Sequence, residues 1–202
     1  LYYWAASTHK RNNYFGHALD QNPFDLFLYQ ELIVRLRPAF VLQTGVFCGG
    51  SLLYFAHLLD LMEAPPEAIV VGIDIMLRDE AKKLSHPRIR LVEGSSTDEK
   101  IVQQVTEMLP APHGFVSLDS DHSRDHVLAE MKIYERFVAP GGYMVVEDTN
   151  VNGHPVHVNH GPGPTEAVDT FLSQNGNFVR DDAFWRRNLL SHHAGGWLQR
   201  VS

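Results

Sequence analysis

Short apolar runs alternate with helical patterns along almost the whole chain, and three of the runs stop at an acid. Ile69 to Asp74 ends in Asp74, Phe115 to Asp119 in Asp119, and Tyr143 to Glu147 in Glu147, with Asp148 next. Two further strand-like runs are Ala39 to Thr44 and Ile89 to Val92. Between them the spacing predicts helices. One starts at Asn22-Pro23, with Pro at the first helical position and an apolar stripe at Phe24, Leu28, Leu32 and Leu36, and it stops at Arg37-Pro38. Others cover Ser51 to Met62, Asp98 to Leu109, capped by Thr97 or Asp98, and Asp125 to Phe137. Strands separated by helices imply right-handed crossovers and a parallel sheet covered on both faces, an α/β architecture. In such sheets ligands bind at the carboxyl ends of the strands, where the terminal acids fall.

Near the end the pattern changes. Leu189-Leu190-Ser191 and Trp197-Leu198-Gln199 flank Ala194-Gly195-Gly196, which reads as a hairpin closing the sheet with antiparallel strands. The stretch Asn150 to Pro164 is long, rich in Gly, Pro and His, and without periodicity; a loop of this kind suits a lid.

The chain has 202 residues, 44% of them hydrophobic, which is enough for one packed domain over 1–202 with 1–21 as an N-terminal segment. The start at Leu1 is expected to be a trimmed one. A net charge of -7 argues against a primary nucleic-acid binder, because phosphate contact favours a basic face. No apolar run reaches the roughly 18 residues of a membrane span. The lone Cys48 permits no internal disulfide, which fits a cytoplasmic location. A homo-oligomer is allowed by all of this.

Gly45-Val46-Phe47-Cys48-Gly49-Gly50-Ser51 joins a strand to a helix. Its glycines would let a cofactor approach the backbone, and Ser51 with the free N–H groups of the helix start would bind a carboxylate or phosphate. It is neither the dinucleotide G-x-G-x-x-G, since Phe47 holds the second glycine's place, nor a P-loop. A plain tight turn is the simpler alternative. Asp74 sharpens the cofactor reading, because an acid at that strand end accepts ribose hydroxyls; the competing reading is a helix cap or surface ion pair. Small polar residues in Glu93-Gly94-Ser95-Ser96 would border the base.

Asp119, Glu147 and Asp148 would together suit a hard divalent cation such as Mg²⁺; the alternative is that Asp119 caps a turn and Glu147-Asp148 is a solvated strand end. Without a cation they repel and raise each other's pKa. Asp121, in Asp119-Ser120-Asp121-His122, is a rival ligand. His122 is the candidate base: a histidine takes a proton from a hydroxyl more readily when a cation acidifies it. Its alternative is a turn residue. His154, His157 and His160 match no standard zinc spacing and read as loop residues, His192-His193 read as hairpin-turn residues, and His126 as one on a helix face. Trp4, Tyr14 and Trp185 are candidates for an acceptor pocket.

These segments resemble a known family. Asn22-Pro23-Phe24-Asp25-Leu26 with Tyr29-Gln30-Glu31-Leu32-Ile33, Gln43-Thr44-Gly45 to Ser51, Gly72-Ile73-Asp74-Ile75, Leu118-Asp119-Ser120-Asp121-His122, Asp125-His126-Val127-Leu128-Ala129-Glu130, Gly161-Pro162-Gly163-Pro164 and Gly195-Gly196-Trp197-Leu198-Gln199-Arg200-Val201 are similar to the cephalosporin-hydroxylase-like class I S-adenosylmethionine-dependent methyltransferases, which include rhamnosyl and macrolide-sugar O-methyltransferases. The resemblance covers nearly everything from Asn22 onward. It implies a Rossmann-like, mostly parallel seven-stranded sheet with a reversed terminal hairpin. It implies Gly45, Gly49 and Ser51 at the methionine part of S-adenosylmethionine, Asp74 at the ribose and Ser96 at the adenine edge. It also implies Mg²⁺ on Asp119, Glu147 and Asp148, with His122 as general base. The acceptor would be a hydroxyl of a sugar or related natural product. The rivals are a nicotinamide-dependent oxidoreductase, disfavoured by the missing glycine motif, and a non-catalytic cofactor-binding subunit.

Overall fold

The computed structural model describes residues 7–110 and 113–202. A small antiparallel ribbon, β1 (Asn13–Tyr14) and β2 (His17–Ala18), precedes the main body. Seven strands then form one sheet: β3 (Phe40–Thr44), β4 (Ile69–Asp74), β5 (Ile89–Glu93), β6 (Phe115–Leu118), β7 (Tyr143–Val146), β8 (Phe178–Arg180) and β9 (Trp197–Arg200). Their order is β5-β4-β3-β6-β7-β9-β8. The first five are parallel, and β9 runs antiparallel to both of its neighbours. The helices are α1 (Pro23–Leu36), α2 (Gly50–Leu61), α3 (Asp79–Lys82), α4 (Glu99–Met108), α5 (Arg124–Tyr134), α6 (Pro164–Gln174) and α7 (Asp182–Arg186). None is long and apolar enough to cross a membrane.

Both faces of the sheet are buried, which is why its central strands read as continuous apolar runs. Val41, Val70, Phe115 and Val145 point to one face and pack with Leu28 and Leu32 of α1 and Leu52 and Leu59 of α2. Phe40, Leu42, Val116 and Met144 point to the other, against Met131 of α5 and Val168 and Phe171 of α6. Helix α1 begins as its sequence predicts: Asn22 Oδ1 accepts from Phe24 N at 3.2 Å, and Pro23 fills the first helical position. Its buried side is Leu28, Tyr29, Leu32 and Ile33, while Phe24 is exposed. Asp98 caps α4, accepting from Lys100 N and Ile101 N.

Register places the chemistry. Thr44 pairs with Leu118 and Leu118 with Val146, so the next residues, Gly45, Asp119 and Glu147, emerge side by side at the carboxyl edge. Gly45 is demanded by that crowding: it has φ 78°, and a Cβ there would lie 1.9 Å from the Asp119 carbonyl oxygen.

The terminal antiparallel pair exists, but its first strand is Phe178–Arg180, not Leu189-Leu190-Ser191. Leu189 is exposed, whereas Ser191, His192 and His193 are buried without being a strand. Gly196 lies flat against β7, its carbonyl accepting from Val146 N at 2.9 Å, where a Cβ would meet the Val146 oxygen at 2.1 Å. The expected tight turn is present, closed by Gly196 N donating to the His193 carbonyl at 2.8 Å with Gly195 at φ 78°, but it leads from an irregular segment into β9 rather than joining two paired strands, and Gly196 also permits the close approach to β7. The segment before them is fixed by polar contacts: His192 N donates to Asp25 Oδ2 at 2.8 Å. Helix α6 and strand β8, not anticipated from the sequence, fill the stretch between the long loop and that segment. The long loop is itself fastened: Asn150 N bonds His192 O, Val156 N bonds Asn150 O, and His154 lies 3.0 Å from Glu166.

Candidate active site

Two hollows meet at the carboxyl edge of the sheet. The larger, about 590 Å³, runs over β3, β4 and β5 and includes Gly45, Phe47, Asp74, Ser96, Asp119 and His126 in its wall. The smaller, about 350 Å³, is bounded by Lys10, Asp20, Asp119, His122, Asp148 and His192, with loop histidines His157 and His160 at its rim. Phe47 and Asp119 belong to both walls, so whatever occupies one hollow abuts the other.

Of the residues expected around a cofactor, Gly45, Asp74 and Ser96 line the larger hollow. Gly49 and Ser51 are not in its wall. Gly49, at φ 80°, precedes α2 and faces Leu84, while Ser51 borders a small adjoining cavity with Gln21 and Asp119. Asp74 has a bracing task. Its Oδ2 accepts from Val46 N at 2.8 Å and Phe47 N at 3.2 Å, and its Oδ1 from Met76 N at 3.0 Å. This holds Phe47 at φ 52°, a left-handed conformation unfavourable for a bulky residue. A carboxylate has about four acceptor directions, so one remains for a ligand hydroxyl. The guanidinium of Arg78 lies 4.3 Å from the Phe47 ring centre.

Ligand atoms of Asp119, His122 and Asp148 all lie within 4.8 Å of one another. His122 Nε2 is 3.2 Å from Asp148 Oδ2. Burial opposes charge on Asp148, but the His122 bond and the nearby His193 and His192 outweigh it and hold its carboxyl at about 2. Burial also works against charge on His122; the Asp148 bond prevails and raises its pKa. Asp119 goes the other way: burial first, then Glu147, Asp148, Asp20 and Glu130, push it well above the carboxylate range. Asp121 stands apart, exposed, with Oδ1 accepting from Ser123 N at 2.7 Å ahead of α5. Asp119 and not Asp121 is thus the acid that faces the other two.

Glu147 is buried and lies outside that group of three. Its Oε1 accepts from Tyr29 Oη at 2.7 Å and Ser117 Oγ at 2.5 Å. Its Oε2 faces His193 Nε2 at 3.2 Å and accepts from Gln21 Nε2. The same Gln21 nitrogen is 3.5 Å from Asp119 Oδ2, so Asp119 and Glu147 converge on one donor. His193 is fixed in tautomer: Nδ1 accepts from Asp148 N at 3.0 Å, which puts the ring proton on Nε2, towards Glu147. Gln21, Ser117 and His193 gave no sequence signal, because their roles depend on which distant segments meet. Tyr29 offered one, in the segment of α1 that carries the family likeness.

The sequence matches the family described as Rhamnosyl O-methyltransferase/CmcI over residues 6–201. The chain belongs to the rhamnosyl O-methyltransferase/CmcI family. A relative called rhamnosyl O-methyltransferase in Mycobacterium tuberculosis (strain ATCC 25618 / H37Rv) is 36% identical over 190 residues, covering 90% of this chain and 75% of that protein. The Mycobacterium leprae (strain TN) protein of the same name is 35% identical, covering 87% and 77%. Among solved structures, apo CmcI superposes with a TM-score of 0.73 at 23% identity, covering all of this chain and 84% of that one. The methyltransferase MycE from the mycinamycin biosynthetic pathway, in complex with Mg, SAH and mycinamycin VI, gives 0.58 at 21% identity, covering 86% and 48%. Membership in the rhamnosyl O-methyltransferase/CmcI family bears out the expected Rossmann-like methyltransferase fold and removes the nicotinamide oxidoreductase reading.

Of the aromatic residues considered for the acceptor pocket, Trp4 lies outside the described residues. Tyr14 packs on Tyr54 and His57, and Trp185 borders a separate cavity with Arg180 and Arg186.

Proposed function

We propose that the chain is one methyltransferase unit that moves a methyl group from S-adenosylmethionine to a hydroxyl of a sugar or related natural product, with Mg²⁺ held at the carboxyl ends of β6 and β7. The observation that carries this reading is the convergence of Asp119, His122 and Asp148 where the two hollows meet. The donor set fits the cation. Asp119 is strained by surrounding negative charge, and it and Glu147 already share one donor nitrogen. Hard divalent cations take such carboxylate oxygens, which leaves the imidazole of His122 free to act as base. Asp119 and Asp148 would hold the cation, with Glu147 as third ligand through the Oε2 that now accepts from Gln21.

When bound, the cation supplies Lewis acidity that lowers the pKa of a neighbouring hydroxyl, and S-adenosylmethionine supplies the electrophilic methyl group. The chain's residues do the rest. Gly45 and the backbone of the loop to Ser51 border the methionine part, and Asp74 offers its remaining acceptor direction to a ribose hydroxyl. His122 receives the acceptor's proton, and Asp148 stabilises the imidazolium through the 3.2 Å contact. Phe47, shared by both walls, stands where the cofactor and the acceptor would meet. The wall of the smaller hollow is mostly Lys, Asp and His, which suits a hydroxyl-rich sugar better than a flat aromatic ring. The relatives named rhamnosyl O-methyltransferase support that acceptor class. The buried thiol of Cys48 suits a reducing cytoplasm, and assembly into a homo-oligomer is compatible with this chemistry.

The test is methyl transfer from labelled S-adenosylmethionine to rhamnosyl glycosides, with Mg²⁺ or with chelator. Activity is expected only with the cation. His122→Gln should lower kcat by about 10²–10⁴ while leaving S-adenosylhomocysteine affinity within twofold. Full turnover in chelator would overturn the metal assignment, and a wild-type kcat in the variant would overturn the base.

A further inference from the structure

The larger hollow has an end that neither the glycine loop nor Asp74 reaches. It is formed by Gly94, Ser95 and Ser96 after β5 and by His126 of α5, with the exposed apolar side chains of Ile75 and Met76 also in the wall. With the methionine part near Gly45 and the ribose at Asp74, this end is left for the base.

Behind it sits Glu130, completely buried. Its Oε1 accepts from Ser96 Oγ at 2.5 Å and Ser120 Oγ at 2.7 Å, and it lies 3.4 Å from His126 Nε2. One turn on, Tyr134 donates to the Ser96 carbonyl at 2.7 Å. A single face of α5 thus fastens the loop after β5 and the turn beside Asp119. All of the Glu130 contacts go to Oε1, and Oε2 is buried with no hydrogen-bond partner among the described residues, so the group is costly to keep and its retention points to a task.

That task is to fix proton positions. Ser96 has a single hydroxyl proton, and it is donated to Glu130 Oε1. The 3.2 Å contact between Ser96 Oγ and His126 Nε2 must then carry its proton on the nitrogen. In the neutral ring Nδ1 is left as a bare acceptor, and no hydrogen bond reaches it from the described residues. The ring is part of the cleft wall. The Ser96 hydroxyl, committed inward, has no proton to offer a ligand.

We propose that His126 reads the cofactor's base, its Nδ1 accepting from the exocyclic amine of an adenine, and that Glu130 is the residue that positions it. This rests on the methyl-donor reading above. It moves the base contact from the Ser96 side chain to a residue on α5 and ties the base end to the acidic edge through Ser120. The hydrogen bond with Glu130 raises the His126 pKa, so the test is run at about pH 8 to favour the neutral ring.

Isothermal titration would compare S-adenosylhomocysteine with the analogue carrying hydrogen in place of the exocyclic amine. The wild-type chain should favour the amine by about tenfold, the worth of one hydrogen bond. His126→Leu should bind both ligands equally, at the affinity the wild type shows for the analogue. His126→Asn keeps an acceptor near the Nδ1 position and should retain the preference, and it guards against loss through misfolding. Equal wild-type binding of the two ligands, or an undiminished preference in His126→Leu, would overturn the assignment alone. Failure of the wild type to bind either would overturn it together with the methyl-donor reading.

Discussion

Replacing Asp119 by Asn removes one charge from the acidic edge and almost nothing else. Oxygens of Asp119 and Asp148 come within 4.8 Å. At an effective dielectric of roughly 20, two unit charges that far apart repel by about 3.5 kcal/mol. Solvent at the half-exposed edge and the neighbouring His122 reduce this to a net of about 1–2 kcal/mol. The sign follows from the direction of the shift. The folded-state pKa of Asp119 lies above its unfolded value, so the cost begins as pH rises past the ordinary carboxylate range and is complete above the folded value. Asn escapes it. In a chain of this length each kcal/mol moves Tm by about 2–4 °C, so Asp119→Asn should melt roughly 2–8 °C higher than wild type at pH 8 in chelator. Saturating Mg²⁺ should raise the wild-type Tm and leave the variant in place, because a ligand stabilises only the state that binds it. Circular dichroism melts with and without the cation would show this. A variant less stable than wild type in chelator would refute the charge argument. An equal response of both proteins to Mg²⁺ would refute the ligand assignment.

Two further outcomes concern the groups around that edge. Tyr29→Phe removes a fully buried hydroxyl that donates to Glu147 at 2.7 Å, and urea unfolding should record a loss of about 1.5–3 kcal/mol; an unchanged midpoint would show that Glu147 does not need it. The His122–Asp148 pair should stabilise the metal-free protein within a defined window. The Asp148 part is present above pH 3.8 and lost as pH falls through about 2, while the His122 part is full below pH 6.5 and lost as pH rises through its raised value. The penalty of Asp148→Asn in chelator should therefore be larger at pH 5.5 than at pH 9, and equal penalties would remove the pair from the stability account.

Local rules carried the sequence a long way. Alternating apolar runs and caps located the five parallel strands and four of the helices, because buried parallel strands must be apolar on both faces. The acids at Asp74, Asp119, Glu147 and Asp148 were visible because they interrupt those runs at their ends. Tertiary structure decided what local rules cannot reach. It chose Phe178–Arg180 over Leu189-Leu190-Ser191 as the partner of the last strand, since pairing depends on what the intervening residues anchor to. It buried His192 and His193, which in the sequence read as hairpin-turn residues. It separated Asp119 from Asp121, two residues apart in sequence, by sending one to the sheet edge and the other to a helix start. It also gave Glu130 three donors from three segments, a network in which proton positions follow from distances. Composition and period are properties of a segment and can be read from it; hydrogen-bond partners, charge repulsion and tautomers are properties of segments that meet, and exist only once the chain has folded.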